Sequence, residues 1–456
     1  MKKLTLGKIW LFGIGQFGWA LLSGLIATWL VYFYQPNQIA QDAGQIIYIP
    51  QGRVVLGIIT IIGAITALGR IFDAVTDPWI ASLSDRCKSK NGRRIPFLKM
   101  AAFPLAIATV GVFFAPVQKT SWINAVWLLV MILIYYLAIT TYCTPYTALR
   151  PELGHSQKDR MTISTVISLT FIVGTALAYS ASIVWGALEP ALGRIIAMRL
   201  TICIYALIAF ICMLVPVFAI REKDYVNVKP VEGTVFSSLV KTFRNPDFRV
   251  FVGSDILYWI GLTMFQTGLP FFVTSLLKLP ENMAFIYFAL MTAMSLVFYI
   301  PINIITKKVG KKNLVLFAFF TFAATYTYTL FLGDFLPIDP LIQGYILAIV
   351  AALPMAIFGI LPQAMVADIS QSDSILTGEN REGMFYAART FAFKLGQSIS
   401  MLLFTAVATI GLNGMGYRIA AGIAAVFCLG GGVILFAFNE KKINEIINDA
   451  VEKEGK

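Results

Sequence analysis

Arg70, Asp73 and Asp77 stand inside one long apolar run that extends from about Val54 to Leu83. Their i, i+3, i+7 spacing puts all three on one face of a helix. At roughly 1.5 Å per residue such a run is long enough for a tilted membrane span, so the charges would lie within the bilayer. Each such residue costs about 2.5–3.5 kcal/mol near the centre of a span, and residues kept there face a water-filled cavity or a partner. Two carboxylates four residues apart offer the hard oxygen ligands that Na⁺ needs in place of water, or a pair of proton carriers. The competing reading is a structural ion pair, with Arg70 neutralising Asp73. One arginine cannot neutralise both acids, which favours the ion-handling reading.

Other charges deep in apolar runs are graded by depth. Asp73 and Asp77 precede the end of their run by roughly 16 and 10 Å, and Lys394 lies roughly 15 Å inside the eleventh apolar run. Lys394 therefore shares the level of the acid pair and is a candidate coupling residue, with Arg70. Arg389, only about 8 Å deep, is expected to snorkel to the headgroups, and Asp255 divides evenly between helix-end solvation and a cavity role. Asp85, Arg93, Arg94 and Asp368 lie in or beside loops and are candidate gating charges, the two arginines pairing with Asp368. Gln16, Trp19, Tyr32, Tyr258, Trp259, Gln266 and Gln397 can stack on a ring or bond hydroxyls, although such residues at helical spacing are also ordinary packing.

The elements that must position these residues are helices crossing a membrane. The 456 residues are 58% hydrophobic and 13% charged, with a mean hydropathy of +0.76, which is the composition of a multi-pass membrane protein. The net charge of +12 could suggest nucleic acid, but about three quarters of the lysines and arginines fall in alternate loops and the two termini, the pattern that marks cytoplasmic segments. No nucleic-acid partner is expected, and both ends are placed in the cytoplasm of a cell-membrane protein. The five cysteines show no paired spacing, so neither a metal site nor a disulfide framework is expected. With His155 the single histidine, histidine acid–base chemistry and enzymatic function are not expected either.

Twelve apolar runs fall into two groups of six. They give an N-terminal bundle over 1–220, a linker over 221–249 with an amphipathic piece near Phe236–Phe243, a C-terminal bundle over 250–438 and a charged tail over 439–456. Each half carries a basic, glycine-containing turn after its second run, Gly92-Arg93-Arg94 in one and Gly310-Lys311-Lys312 in the other. Two such halves are the signature of a transporter built from parallel repeats, with rocking about a midplane site as its mechanism.

The stretch Arg70 to Pro78, followed by Ser84-Asp85-Arg86 and Gly92 to Pro96, resembles the signature of the glycoside–pentoside–hexuronide:cation symporter family, the melibiose-permease-like branch of the major facilitator superfamily. The resemblance extends to Thr144 through Leu149 with Arg160, to Val366-Ala367-Asp368, and to Arg381-Glu382-Gly383 ahead of Lys394-Leu395-Gly396. It implies a twelve-helix major-facilitator fold, with sugar or glycoside transport driven by Na⁺, Li⁺ or H⁺ and no cofactor beyond the transported ion. It assigns cation binding to Asp73, Asp77 and Thr140, coupling to Lys394, and places Cys143 where members carry a further acid. The galactoside-binding positions hold Ala20, Cys143, Thr147 and Ser168, so melibiose is not the expected substrate; Thr147 remains a candidate substrate contact. The related lysophospholipid symporters keep the same helix-two and helix-eleven charges, which makes an amphipathic lipid the alternative. A monomer in contact with membrane lipid is expected.

Overall fold

The computed structural model describes residues 4–55, 59–89, 91–154, 157–225, 242–378, 382–411 and 413–454. Lys90, His155, Arg381 and most of the amphipathic linker piece lie outside these. The described chain is almost wholly helical, as burying backbone amides in lipid requires. Its elements are α1 (Leu6–Tyr34), α2 (Gln38–Asp42), β1 (Arg53–Val55), β2 (Ile59–Thr60), α3 (Ile61–Asp85), α4 (Ile95–Phe113), α5 (Trp122–Leu153), α6 (Gln157–Tyr179), α7 (Ala181–Leu192), α8 (Arg194–Ala219) and α9 (Glu222–Tyr225). They continue with α10 (Pro246–Phe271), prolonged by a π-helical turn over Phe272–Leu276, then α11 (Met283–Val309), α12 (Lys311–Leu330), α13 (Pro340–Thr377), α14 (Glu382–Ala408), α15 (Met415–Leu435) and α16 (Glu440–Glu454).

Among the described residues eleven helices are long and apolar enough to cross a membrane, with α6 and α7 counted as one bent at Ser180. The twelfth is α3, which Arg70, Asp73 and Asp77 make too polar for that criterion. This helix starts later than its apolar run suggests. Val54 lies in a small antiparallel pair, β1 with β2, and the Thr60 side chain accepts from Gly63 N at 3.2 Å, capping the helix at Ile61.

The chain divides into two compact units. The first comprises Met1–Gly233 with Leu269–Phe271 and Pro280–Phe285; the second comprises Thr234–Gly268, Phe272–Leu279 and Ile286–Lys456. In the first, α1 packs on α6 and α8, α3 on α5, and α4 on α5 and α8. In the second, α12 packs on α13 and α15, and α14 on α15.

Each unit is closed by the same device. Glu222, just past α8, accepts from the backbone N–H groups of Arg93 (2.9 Å), Arg94 (2.8 Å) and Ile95 (3.1 Å) at the start of α4. Glu440, just past α15, accepts from Lys311 N (2.8 Å) and Lys312 N (2.9 Å) at the start of α12. The glutamate follows the first amide it caps by 129 residues in both cases. A carboxylate against a helix N-terminus meets unbonded donors and the positive end of the dipole. The close approach also explains the glycines before each helix: Gly92 (φ +107°) and Gly310 (φ +87°) have left-handed backbones, and a Cβ on either would collide with the glutamate. Glu222→Ala strands three amide donors and removes about 1–3 kcal/mol. The expected result is a fall of about 5 °C in the thermal unfolding midpoint, with a similar fall for Glu440→Ala; unchanged midpoints in purified protein would refute the role.

Candidate functional site

The acid pair sits where α3 packs on α5. Asp73 is 3% exposed, and the Thr140 hydroxyl donates to its carboxylate. One turn along both helices, the Thr144 hydroxyl donates to Asp77 Oδ1 at 3.1 Å. Two Asp–Thr rungs therefore connect the helices, and Asp77, half-buried, is the more open of the two. Prolines add acceptors at the same level. Pro78 and Pro145 have no N–H, so they cannot bond the carbonyls of Ala74 and Thr141 as helical residues at those positions would. Carboxylates, hydroxyls and released carbonyls are the donor set that hard cations take. Cys143, half-buried between the two threonines in sequence, adds a thiol rather than a further carboxylate.

The Arg70 guanidinium lies over the Tyr136 ring at 5.1 Å, and its Nε is buried without a hydrogen-bond partner among the described residues. Tyr136 thus gives this cation an aromatic face to rest on.

Other sequence candidates fall into two classes. In the first unit, Gln16 is buried and accepts from Arg150 Nη2 at 2.5 Å. The Trp19 indole N–H is buried with no hydrogen-bond partner among the described residues, as is Arg150 Nε. Thr147 is exposed and its hydroxyl donates to the Thr144 carbonyl at 3.0 Å. In the second unit, Trp259 stacks on Phe393 with centroids 4.5 Å apart, and Trp259 Nε1 and Gln397 Oε1 are buried without hydrogen-bond partners among the described residues. Trp19 and Trp259 each lie thirteen residues into their unit's first span, counted from Leu6 and from Pro246. Buried polar atoms left without partners are uncommon in folded proteins and mark places that a ligand can complete.

Tyr32 and Tyr258 are both buried against partners within their own units. Tyr32 is fully buried and its hydroxyl donates to Glu281 at 2.7 Å. Glu281 also accepts from Trp185 Nε1 at 3.0 Å and pairs with Arg194, so the Tyr32 hydroxyl is engaged in a structural cluster. Tyr258 stacks closely on Phe358, centroids 3.9 Å apart, as a packing residue of the second unit. Arg389 does not snorkel. It is 5% exposed and donates to both oxygens of Asp255, at 2.8 and 3.0 Å, because a guanidinium in an apolar bundle needs a carboxylate more than it needs the surface. The loop charges have partners within their own units. Arg94 meets Asp85 at 2.7 Å and Glu152 at 3.0 Å, and Arg93 meets Glu152 at 3.0 Å, whereas Asp368 pairs with Lys311. Each unit thus joins the basic turn before one helix to an acid on the next long helix. Lys394 is 9% exposed on α14, and Gln266 is half-buried on α10.

Sequence reasoning did not name Thr144 as the partner of Asp77 or Glu152 as that of Arg93 and Arg94. The signal for Thr144 was its i+4 spacing from Thr140, matching that of Asp77 from Asp73.

Comparison with known proteins adds four findings. Residues 11–438 match a family model described as MFS/sugar transport protein. The chain is 24% identical to the isoprimeverose transporter of Lactiplantibacillus pentosus, covering 67% of this chain and 60% of that one. It is 22% identical to the sodium-dependent lysophosphatidylcholine symporter 1-A of Danio rerio, covering 77% of this chain and 70% of that one. Among solved structures, a D323A mutant of the nucleoside transporter NupG superposes with a TM-score of 0.69 at 13% identity, over 96% of this chain and 100% of that one.

Proposed function

Because the chain belongs to the MFS/sugar transport protein family, and so is a multi-pass secondary transporter, we propose that it moves a sugar or glycoside together with Na⁺ or H⁺ by alternating access. The observation that carries this reading is the pair of Asp–Thr rungs between α3 and α5. A cation bound there neutralises Asp73 and Asp77, and closure around an empty, doubly charged site is correspondingly unfavourable. In the first unit Trp19 and Gln16, and in the second Trp259 and Gln397, are the side chains suited to a ring bearing hydroxyls, and Lys394 is the coupling residue of the second unit. Arg93, Arg94, Asp85 and Asp368 act as closures within their own halves. The basic loops face the cytoplasm of the cell membrane, and the protein works as a monomer.

The second reading, an amphipathic lipid as substrate, is favoured by the likeness to the lysophosphatidylcholine symporter. Uptake into proteoliposomes separates the two. A panel of glycosides, pentosides and lysophosphatidylcholine, each tested with a Na⁺ gradient, a pH gradient and neither, is expected to show gradient-driven uptake of a sugar that other glycosides compete. Uptake confined to the lysolipid establishes the second reading, and uptake indifferent to every cation gradient removes the coupling.

A further inference from the structure

Within the first unit, where α4 begins and α8 ends, lies a cavity of about 520 Å³ bounded by Ile95, Lys99, Val217, Phe218, Arg221 and Lys223 among others. Its walls are of two kinds. Phe218 is 73% exposed and stands with Val217 in the last turns of a membrane span, where the surroundings are acyl chains. Lys99, Arg221 and Lys223 are exposed, and none carries a side-chain hydrogen bond or ion pair among the described residues. Two acids share the cavity, Glu222 and Asp224. Glu222 is already committed to three backbone amides, which leaves three cations against Asp224.

This layout fits an amphipathic anion. A zwitterionic headgroup would bring its own cation into a basic rim, and a free phosphate would leave the apolar wall bare. We infer that the cavity holds the headgroup of an anionic phospholipid from the adjoining leaflet, with its phosphate on Lys99, Arg221 and Lys223 and its chains along Phe218 and Val217. The site lies apart from the Asp–Thr rungs. It abuts the Glu222 closure, so lipid there would reinforce the joint between α8 and α4.

The test uses purified, delipidated full-length protein in detergent, followed by thermal unfolding and native mass spectrometry. Phosphatidylglycerol is expected to raise the midpoint and remain bound through dilution. Lys99→Gln/Arg221→Gln/Lys223→Gln should need at least tenfold more lipid for half the shift. A control that removes the same charge elsewhere, Lys307→Gln/Lys308→Gln/Lys441→Gln, should match the wild type. If the triple variant is not recovered folded, Lys223→Glu, a single change at an exposed position, is held to the same criterion. Equal responses of wild type and site variants overturn the proposal. So does equal stabilisation by phosphatidylcholine, which would show a non-selective groove, and so does sn-glycerol 3-phosphate acting alone at the same concentration, which would show a small-anion site.

Discussion

Asp73→Asn is expected to abolish accumulation against a gradient while leaving substrate exchange across the membrane measurable. Asparagine keeps nearly the same shape and can still bond Thr140, whose hydroxyl now donates to the carboxylate, so the α3–α5 contact survives. What disappears is the negative charge that, in the proposed mechanism, balances a cation in a buried site. Losing a charge-assisted interaction of about 1.5–3 kcal/mol weakens cation binding roughly 10–100-fold. Asp77→Asn should have a similar effect. Thr144→Ala removes one neutral donor, about 1 kcal/mol, and should weaken the ion about fivefold. The measurement is the steady-state accumulation ratio in energised vesicles, with counterflow as the control for folding. Wild-type accumulation by Asp73→Asn would remove the acid pair from the coupling mechanism.

The second large effect concerns stability. Arg389→Ala leaves the Asp255 carboxylate, 5% exposed, charged and without the bidentate partner it now has. Breaking a buried pair from one side costs about 3–5 kcal/mol, whereas replacing both members with apolar residues is often neutral. Arg389→Ala should therefore unfold at a clearly lower temperature, and Asp255→Leu/Arg389→Met should recover most of the loss. An Arg389→Ala midpoint within a degree or two of wild type would contradict this account.

What the sequence made legible was mostly one-dimensional. Carboxylates in an apolar run stand out at once, so Asp73 and Asp77 could be singled out without a fold, as could the twelve-run organisation. Partners distant in sequence could not. The spacing of Thr144 from Thr140 repeats that of Asp77 from Asp73, but which acid it serves shows only when α3 is laid against α5, 67 residues away in the chain. Depth placed Arg389 near a headgroup but could not say which way the side chain turned, and its acid lies 134 residues away. The late start of α3 was hidden because the hairpin residues before it are as apolar as the span. Loop charge likewise shows that a residue needs a counter-ion without naming it, and within the units Arg94 meets Asp85 and Glu152 while Asp368 meets Lys311.

The equal reach of Glu222 and Glu440 back to the amides they close limits where this chain can change length. One residue inserted within α8 or α15 would turn everything beyond it by about 100° about the helix axis and carry the carboxylate off its amides. Insertions and deletions among natural variants should therefore gather in the inter-helix loops, the linker and the two ends, while the interior turns of α8 and α15 align without gaps.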